Sequence, residues 1–139
     1  MMSRPKGILA ESKNYWITNE YETVYLHFKN ADRAPVLIGD FYGDPEAAVI
    51  SYCERFVAMV GCGIIVYFLQ EPFDDYNYET ESSQYYEFHR YPDDIWWACG
   101  VHQNSIEEEH YFRFYIETNT RKVAVYRADV ETKENELMS

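Results

Sequence analysis

Apolar and polar residues alternate along much of the chain with a period of two, the pattern of half-buried strands. In Tyr21–Phe28, Val24, Leu26 and Phe28 share one face, and Thr23, Tyr25 and His27 share the other. His110–Ile116 repeats the pattern, with Phe112, Phe114 and Ile116 opposed to Tyr111, Arg113 and Tyr115. After the polar Thr118-Asn119-Thr120-Arg121 the chain resumes as Val123-Ala124-Val125-Tyr126, a hairpin signature. Gly7–Ser12, Tyr15–Thr18, Pro35–Asp40, Ile64–Gln70 and Ile95–Gln103 are rich in β-branched or aromatic residues and bounded by Gly, Pro, Asn or Asp, so they read as further strands.

Pro45–Val60 admits two readings. Asp44-Pro45-Glu46 has the form of a helix start, Gly61 of a helix stop, and Glu46, Ser51, Glu54 and Arg55 share half of a helical wheel. Against a helix stand two apolar clusters, Ala47–Ile50 and Phe56–Val60, separated by Ser51-Tyr52-Cys53-Glu54-Arg55, which read as two buried strands and their turn. The second reading is preferred, with Gly61-Cys62-Gly63 leading tightly into Ile64–Gln70. The fold class expected is mainly β, or α+β should the helix at 45–60 form: a single antiparallel sheet, sandwich or half-barrel of about eight strands. The expected organisation is one domain over 1–139, with 1–6 and the polar 131–139 as flexible ends.

Composition narrows the class. The 139 residues are 47% apolar and 18% aromatic, enough for a core and against wholesale disorder. The longest nearly apolar run, Phe56–Leu69, is interrupted by two glycines and is shorter than the roughly 20 residues a membrane helix needs, and the first residues lack the apolar stretch of a secretory signal, so a cytoplasmic location is expected. Cys53, Cys62 and Cys99 form no paired motif and read as free thiols. With 24 acids against 12 bases the net charge is −12, which argues against binding a nucleic-acid backbone and for a cationic partner.

No motif carries catalytic chemistry convincingly. Pro92-Asp93 followed by Glu131-Thr132-Lys133 has the outline of a metal-dependent nuclease pattern, but Glu131 and Lys133 fall in a polar tail and the net charge repels the substrate. His27, His89, His102 and His110 have no metal-ligand spacing, and Asp74-Asp75 and Asp93-Asp94 lie in no calcium loop. Cys62 between glycines reads as the filler of a tight turn rather than a nucleophile, and the glycines match no phosphate loop. The expectation is a protein that is not an enzyme, with no catalytic residue, metal or cofactor.

The most unusual chemistry lies in Glu71–Asp94. It holds eight acids (Glu71, Asp74, Asp75, Glu79, Glu81, Glu87, Asp93, Asp94), one base, Arg90, and five tyrosines. Tyrosine offers rigid contact area and a hydroxyl at low entropic cost, and adjacent carboxylates pair with Arg or Lys of a partner. The candidate partner-binding residues are Asp74, Asp75, Tyr76, Tyr78, Glu79, Glu81, Tyr85, Tyr86, Glu87, Asp93 and Asp94, together with Trp97. Trp96 and Trp97 on one strand point to opposite faces, so that one enters the core and the other needs a cover. The competing reading of the segment is a solvated loop whose tyrosines lie back on the sheet. Two rival functions stay open: a small-ligand or carbohydrate-binding β domain stacking its ligand on Trp96, Trp97, Tyr85 and Tyr86, and a hydrolase built on Asp93, Glu131 and Lys133.

At Ile38-Gly39-Asp40-Phe41-Tyr42-Gly43-Asp44-Pro45, the Val60–Tyr67 hairpin and Phe112-Arg113-Phe114-Tyr115, the chain resembles small β-rich immunity proteins encoded beside bacterial polymorphic toxins, including those of contact-dependent growth inhibition systems. The resemblance implies a cytosolic antitoxin that binds a cognate toxin domain, often a basic nuclease, and blocks its active site or substrate groove. It implies no catalytic residues; the charge and the short apolar runs leave no nucleic acid or membrane among the expected partners, and the oligomeric state stays open.

Overall fold

The computed structural model describes residues 4–118, 120 and 122–138. Among these, twelve strands form, with one short 3-10 turn at Ile106–Glu108. The strands are β1 (Ile8–Glu11), β2 (Tyr15–Glu20), β3 (Thr23–Phe28), β4 (Val36–Asp40), β5 (Ala47–Ile50), β6 (Phe56–Gly61), β7 (Gly63–Phe68), β8 (Tyr85–Phe88), β9 (Ala98–His102), β10 (Tyr111–Glu117), β11 (Val123–Asp129) and β12 (Asn135–Leu137). They make three antiparallel four-stranded sheets, each a meander of consecutive strands: β1-β2-β3-β4, β5-β6-β7-β8 and β9-β10-β11-β12. The fold is mainly β, as expected, but with more strands than the eight or so read from the sequence and three sheets in place of one or two.

The middle sheet explains this arrangement. β6 is buried at every position and β7 at all but the last. Because neighbouring side chains of a strand point to opposite faces, one parity of these strands faces each way. Val57, Met59, Ile65 and Tyr67 join Ile17, Val24, Leu26 and Ile38 of the first sheet in one apolar cluster. Phe56, Ala58, Val60, Ile64 and Val66 join Phe112, Phe114 and Ala128 of the last sheet, and Val130 just beyond β11, in the other. A continuous apolar run therefore marks strands covered on both sides. The outer sheets keep one wet face: β3 alternates strictly between buried Val24, Leu26 and Phe28 and half-buried Thr23, Tyr25 and His27.

The segment at 45–60 is two strands, paired from Ala47 opposite Val60 to Ile50 opposite Val57. Its turn chemistry excludes a helix. The Ser51 hydroxyl accepts the N–H groups of Arg55 and Phe56 at 2.8 and 3.3 Å, while Glu54 sits at φ 55°, outside helical space. The polar stretch after 130, expected to fray, folds back. Asp129 accepts the N–H groups of Glu131 and Thr132 through Oδ1, and β12 then pairs with Tyr126–Ala128 of β11. Among the described residues no helix is long and apolar enough to cross a membrane.

Candidate functional site

The acidic tract leaves the middle sheet at the end of β7 and returns to it as β8, so its two ends meet side by side. Gln84, 3% exposed, closes the loop: its Nε2 donates to the carbonyls of Phe68 and Gln70 at 2.7 and 2.8 Å, and its Oε1 accepts the N–H of Asp74 at 3.0 Å. The chain then runs along the outer edge of β4. There the Leu37 N–H donates to Asp75 Oδ1 at 3.1 Å, and the Leu37 carbonyl accepts the Tyr76 N–H at 2.8 Å. Three tyrosines pin this course from below. The Tyr67 hydroxyl donates to the Asp74 carbonyl at 2.7 Å, Tyr76 to the Glu87 carboxylate, and Tyr85 to the Asn77 carbonyl at 3.1 Å. Burial raises the Tyr67 hydroxyl well above the usual phenol range, and burial followed by the bond to Glu87 does the same at Tyr76. Both are protonated donors at any physiological pH.

Arg90 ties down the far end of the tract. Its guanidinium donates to the Cys62 and Asp40 carbonyls at 2.9 and 2.7 Å, lies 3.4 Å from the Glu87 carboxylate and covers the Phe41 ring at 4.9 Å. The single base of the tract is thus spent on internal contacts.

This geometry divides the twelve candidate residues. Tyr76 and Tyr85 are 4% and 6% exposed, so their rings belong to the core, and Tyr85 reaches the surface only where it borders the groove. Glu87 is half-buried and turned to the Tyr76 hydroxyl, while Asp75, although exposed, is engaged by the Leu37 N–H at the β4 edge. Asp74, Tyr78, Glu79, Glu81, Asp93, Asp94 and Trp97 are exposed. Six candidates converge on one groove of about 490 Å³: Tyr78, Glu79, Glu81, Tyr85, Tyr86 and Glu87 line it together with Thr80, Ser82 and Lys133. The Glu79 carboxylate, by hydrogen bonding and charge, raises the Tyr78 hydroxyl above its ordinary range at the rim. Asp93, Asp94 and Trp97 lie outside this groove, on the connection from β8 to β9.

Lys133 is the wall that sequence reasoning missed. Its Nζ stands 5.2 Å from the centre of the Tyr86 ring, within cation–π range. The turn between β11 and β12, where the Lys133 N–H donates to the Asp129 carbonyl at 2.8 Å, brings it there, and no local signal announces such a contact. Trp96 and Trp97 precede β9 instead of lying on it, Trp97 making only an isolated bridge to Cys62; half-buried Trp96 stacks on His89 at 3.6 Å between centroids and tilts against Tyr126, while Trp97 is 56% exposed.

The four aromatics of the carbohydrate-binding reading do not converge on one site. Of the four stacking aromatics, Tyr85 and Tyr86 border the acidic groove, Tyr85 with its ring in the core, whereas Trp96 and Trp97 border a different depression with Glu117 and Thr118. Among the described residues no three His, Cys, Asp or Glu side chains converge as metal ligands. The histidines are dispersed: His27 bonds Thr18 at 2.8 Å, His102 meets Tyr115, His89 lies on Trp96 and His110 on Tyr111. Cys62 is buried at the β6–β7 reversal, where Gly63 takes φ 86°. No family model, curated protein or solved structure matches the chain.

Proposed function

We propose that the protein is an inhibitory binding protein, a cytosolic immunity protein that neutralises a cognate basic toxin domain through the acidic, tyrosine-rich surface of its 71–94 tract. One observation carries this reading. The groove gathers six of the twelve candidate residues, with Glu79 and Glu81 turned outward on a backbone already fixed by Gln84, Tyr67 and Tyr85. A preordered surface spares a complex the entropy of organising a loop. The net charge of −12 accelerates encounter with a positive partner by roughly 10- to 1,000-fold at low salt. Tyr78, 71% exposed beside Glu79, gives an incoming guanidinium both a ring face and a carboxylate.

The test is capture of the cognate protein from a lysate of the source organism, followed by association kinetics on the captured species. Asp74→Asn, Glu79→Gln and Glu81→Gln combined are expected to slow association about tenfold at low salt and to flatten its salt dependence. Asp75 is left intact because it holds the edge of β4. A captured partner that is acidic, or one bound equally fast by the triple variant, overturns the reading.

A further inference from the structure

The groove of the acidic tract is lined by three consecutive residues of β8, Tyr85, Tyr86 and Glu87. Successive side chains of a strand leave on opposite faces, so a depression touched by all three runs along the edge of the strand and not over one side of it. That edge is open. β8 ends its sheet, pairing with β7 alone. The Phe68 N–H donates to the Gln84 carbonyl, which puts residues 84, 86 and 88 in the hydrogen-bonded positions facing β7. The backbone groups of Tyr85 and Glu87 therefore point away from β7, into the groove. β4 has a similar outer edge, but there Asp75 and Tyr76 occupy the N–H and carbonyl of Leu37.

We infer that β8 takes up an extended segment of the basic partner as an added strand, a mode that rests on the acidic-surface reading above and specifies it further. The two sides of the groove differ, and the difference dictates the partner's pattern. Tyr85 and Glu87 face the first sheet, the side on which the Tyr85 hydroxyl holds Asn77 and Thr80 of the loop bearing Glu79 and Glu81. Tyr86 faces the last sheet, where Lys133 lies over its ring. Side chains of an added strand fall alternately on these two sides. Arg or Lys belongs on the acidic side and apolar residues on the side of Tyr86, where Lys133 repels a cation. The ligand is thus a segment in which basic and apolar residues alternate. A second copy of this chain is the poorer occupant, because pairing β8 with β8 brings two sets of Glu79, Glu81 and Glu87 together.

The probe is the blocked peptide Arg-Val-Arg-Val-Arg-Val, compared with the block sequence Arg-Arg-Arg-Val-Val-Val and with two versions of the alternating peptide, N-methylated at the arginines or at the valines. An added strand predicts that the alternating peptide binds more tightly than the block peptide. Methylation of one set then abolishes binding while methylation of the other leaves it within about threefold, since only alternate amides face β8. Saturation with the unmethylated peptide slows amide hydrogen exchange at Tyr85 and Glu87 at least about tenfold. Equal effects of the two methylations, or unprotected Tyr85 and Glu87 amides in a peptide complex weakened by Glu79→Gln/Glu81→Gln, overturn strand addition while the acidic-surface reading stands. Absence of binding by any of the peptides overturns strand addition, and concentration-dependent protection of those amides in the protein alone assigns the edge to self-association instead.

Discussion

Tyr76 and Tyr78 are separated by one residue and look alike in the sequence, yet one is 4% and the other 71% exposed. What separates them is the docking of the chain on Leu37, which turns Tyr76 inward to Glu87 and leaves Tyr78 at the rim. Tyr76→Phe is expected to lower stability by about 1–2 kcal/mol, because a buried bond to a carboxylate is lost while the ring still fills its space. Urea unfolding checks this, with an unchanged slope and a lower midpoint. The same substitution should leave affinity for the alternating arginine peptide within about threefold, since Glu79 and Glu81 are untouched; a larger loss would mean that Glu87 needs Tyr76 to keep the groove in shape. At this scale the sequence disclosed the chemistry of the site but not the roles within it. The composition of 71–94 announced an acidic, tyrosine-rich segment, whereas the core positions of Tyr76 and Tyr85 follow from long-range hydrogen bonds that no local pattern encodes.

Individual strands were legible in proportion to how regular their burial is. β3 and β10 alternate because one face of each is wet, and β6 and β7 read as apolar runs because neither face is. β8 escaped notice: in Tyr85-Tyr86-Glu87-Phe88 only Tyr85 is buried and the other three are half-buried, with no alternation, and the strand carries an acid turned inward to Tyr76. β12 is too short and polar to register as a strand. Which sheet stacks on which was not readable at all, since that depends on contacts distant in sequence. The two-sided burial of the middle sheet has a sharp signature in mutagenesis. Ile64→Ala and Ile65→Ala, adjacent but opening different apolar layers, should each cost about 2–5 kcal/mol. On β3 the matching pair should separate, with Leu26→Ala costing the same about 2–5 kcal/mol and Tyr25→Ala about 1 kcal/mol. Thermal or denaturant unfolding of the four variants measures the contrast, and a low cost at either isoleucine would contradict packing on both faces.

The whole molecule combines an acidic surface with a few ionisable groups whose folded environments oppose acid. Burial holds the His27 and His89 imidazoles below their usual range. The unfolded chain therefore takes up protons at these sites first, and stability falls as pH drops below about 6.5 towards the lower folded values. Glu11 adds a second window. Hydrogen bonds from Lys29 and then Arg4 bring its carboxyl to about 2, so its contribution is present above the unfolded value near 4.5 and is lost as pH falls towards 2. At Glu54, burial pushes upward, but donation from Ser12 and Asn14 outweighs it and leaves the carboxyl below its ordinary value, in the same direction. Discharge of the surface near pH 4.6 relieves self-repulsion and works against these losses, so the informative quantity is a difference between proteins. His27→Gln with His89→Asn should flatten the stability profile between pH 7.5 and 5 relative to wild type in urea titrations; parallel profiles would show that neither histidine resists protonation in the fold. The middle sheet has a further consequence for biosynthesis. A ribosome reads from the first residue to the last, so the hairpin of β6 and β7 emerges before β10 and β11 have been translated. Until then Phe56, Val60, Ile64 and Val66 have nothing to cover them but water or a chaperone. The interval between completion of β7 and synthesis of β11 is the one in which a nascent copy is most prone to stick to its neighbours on the polysome.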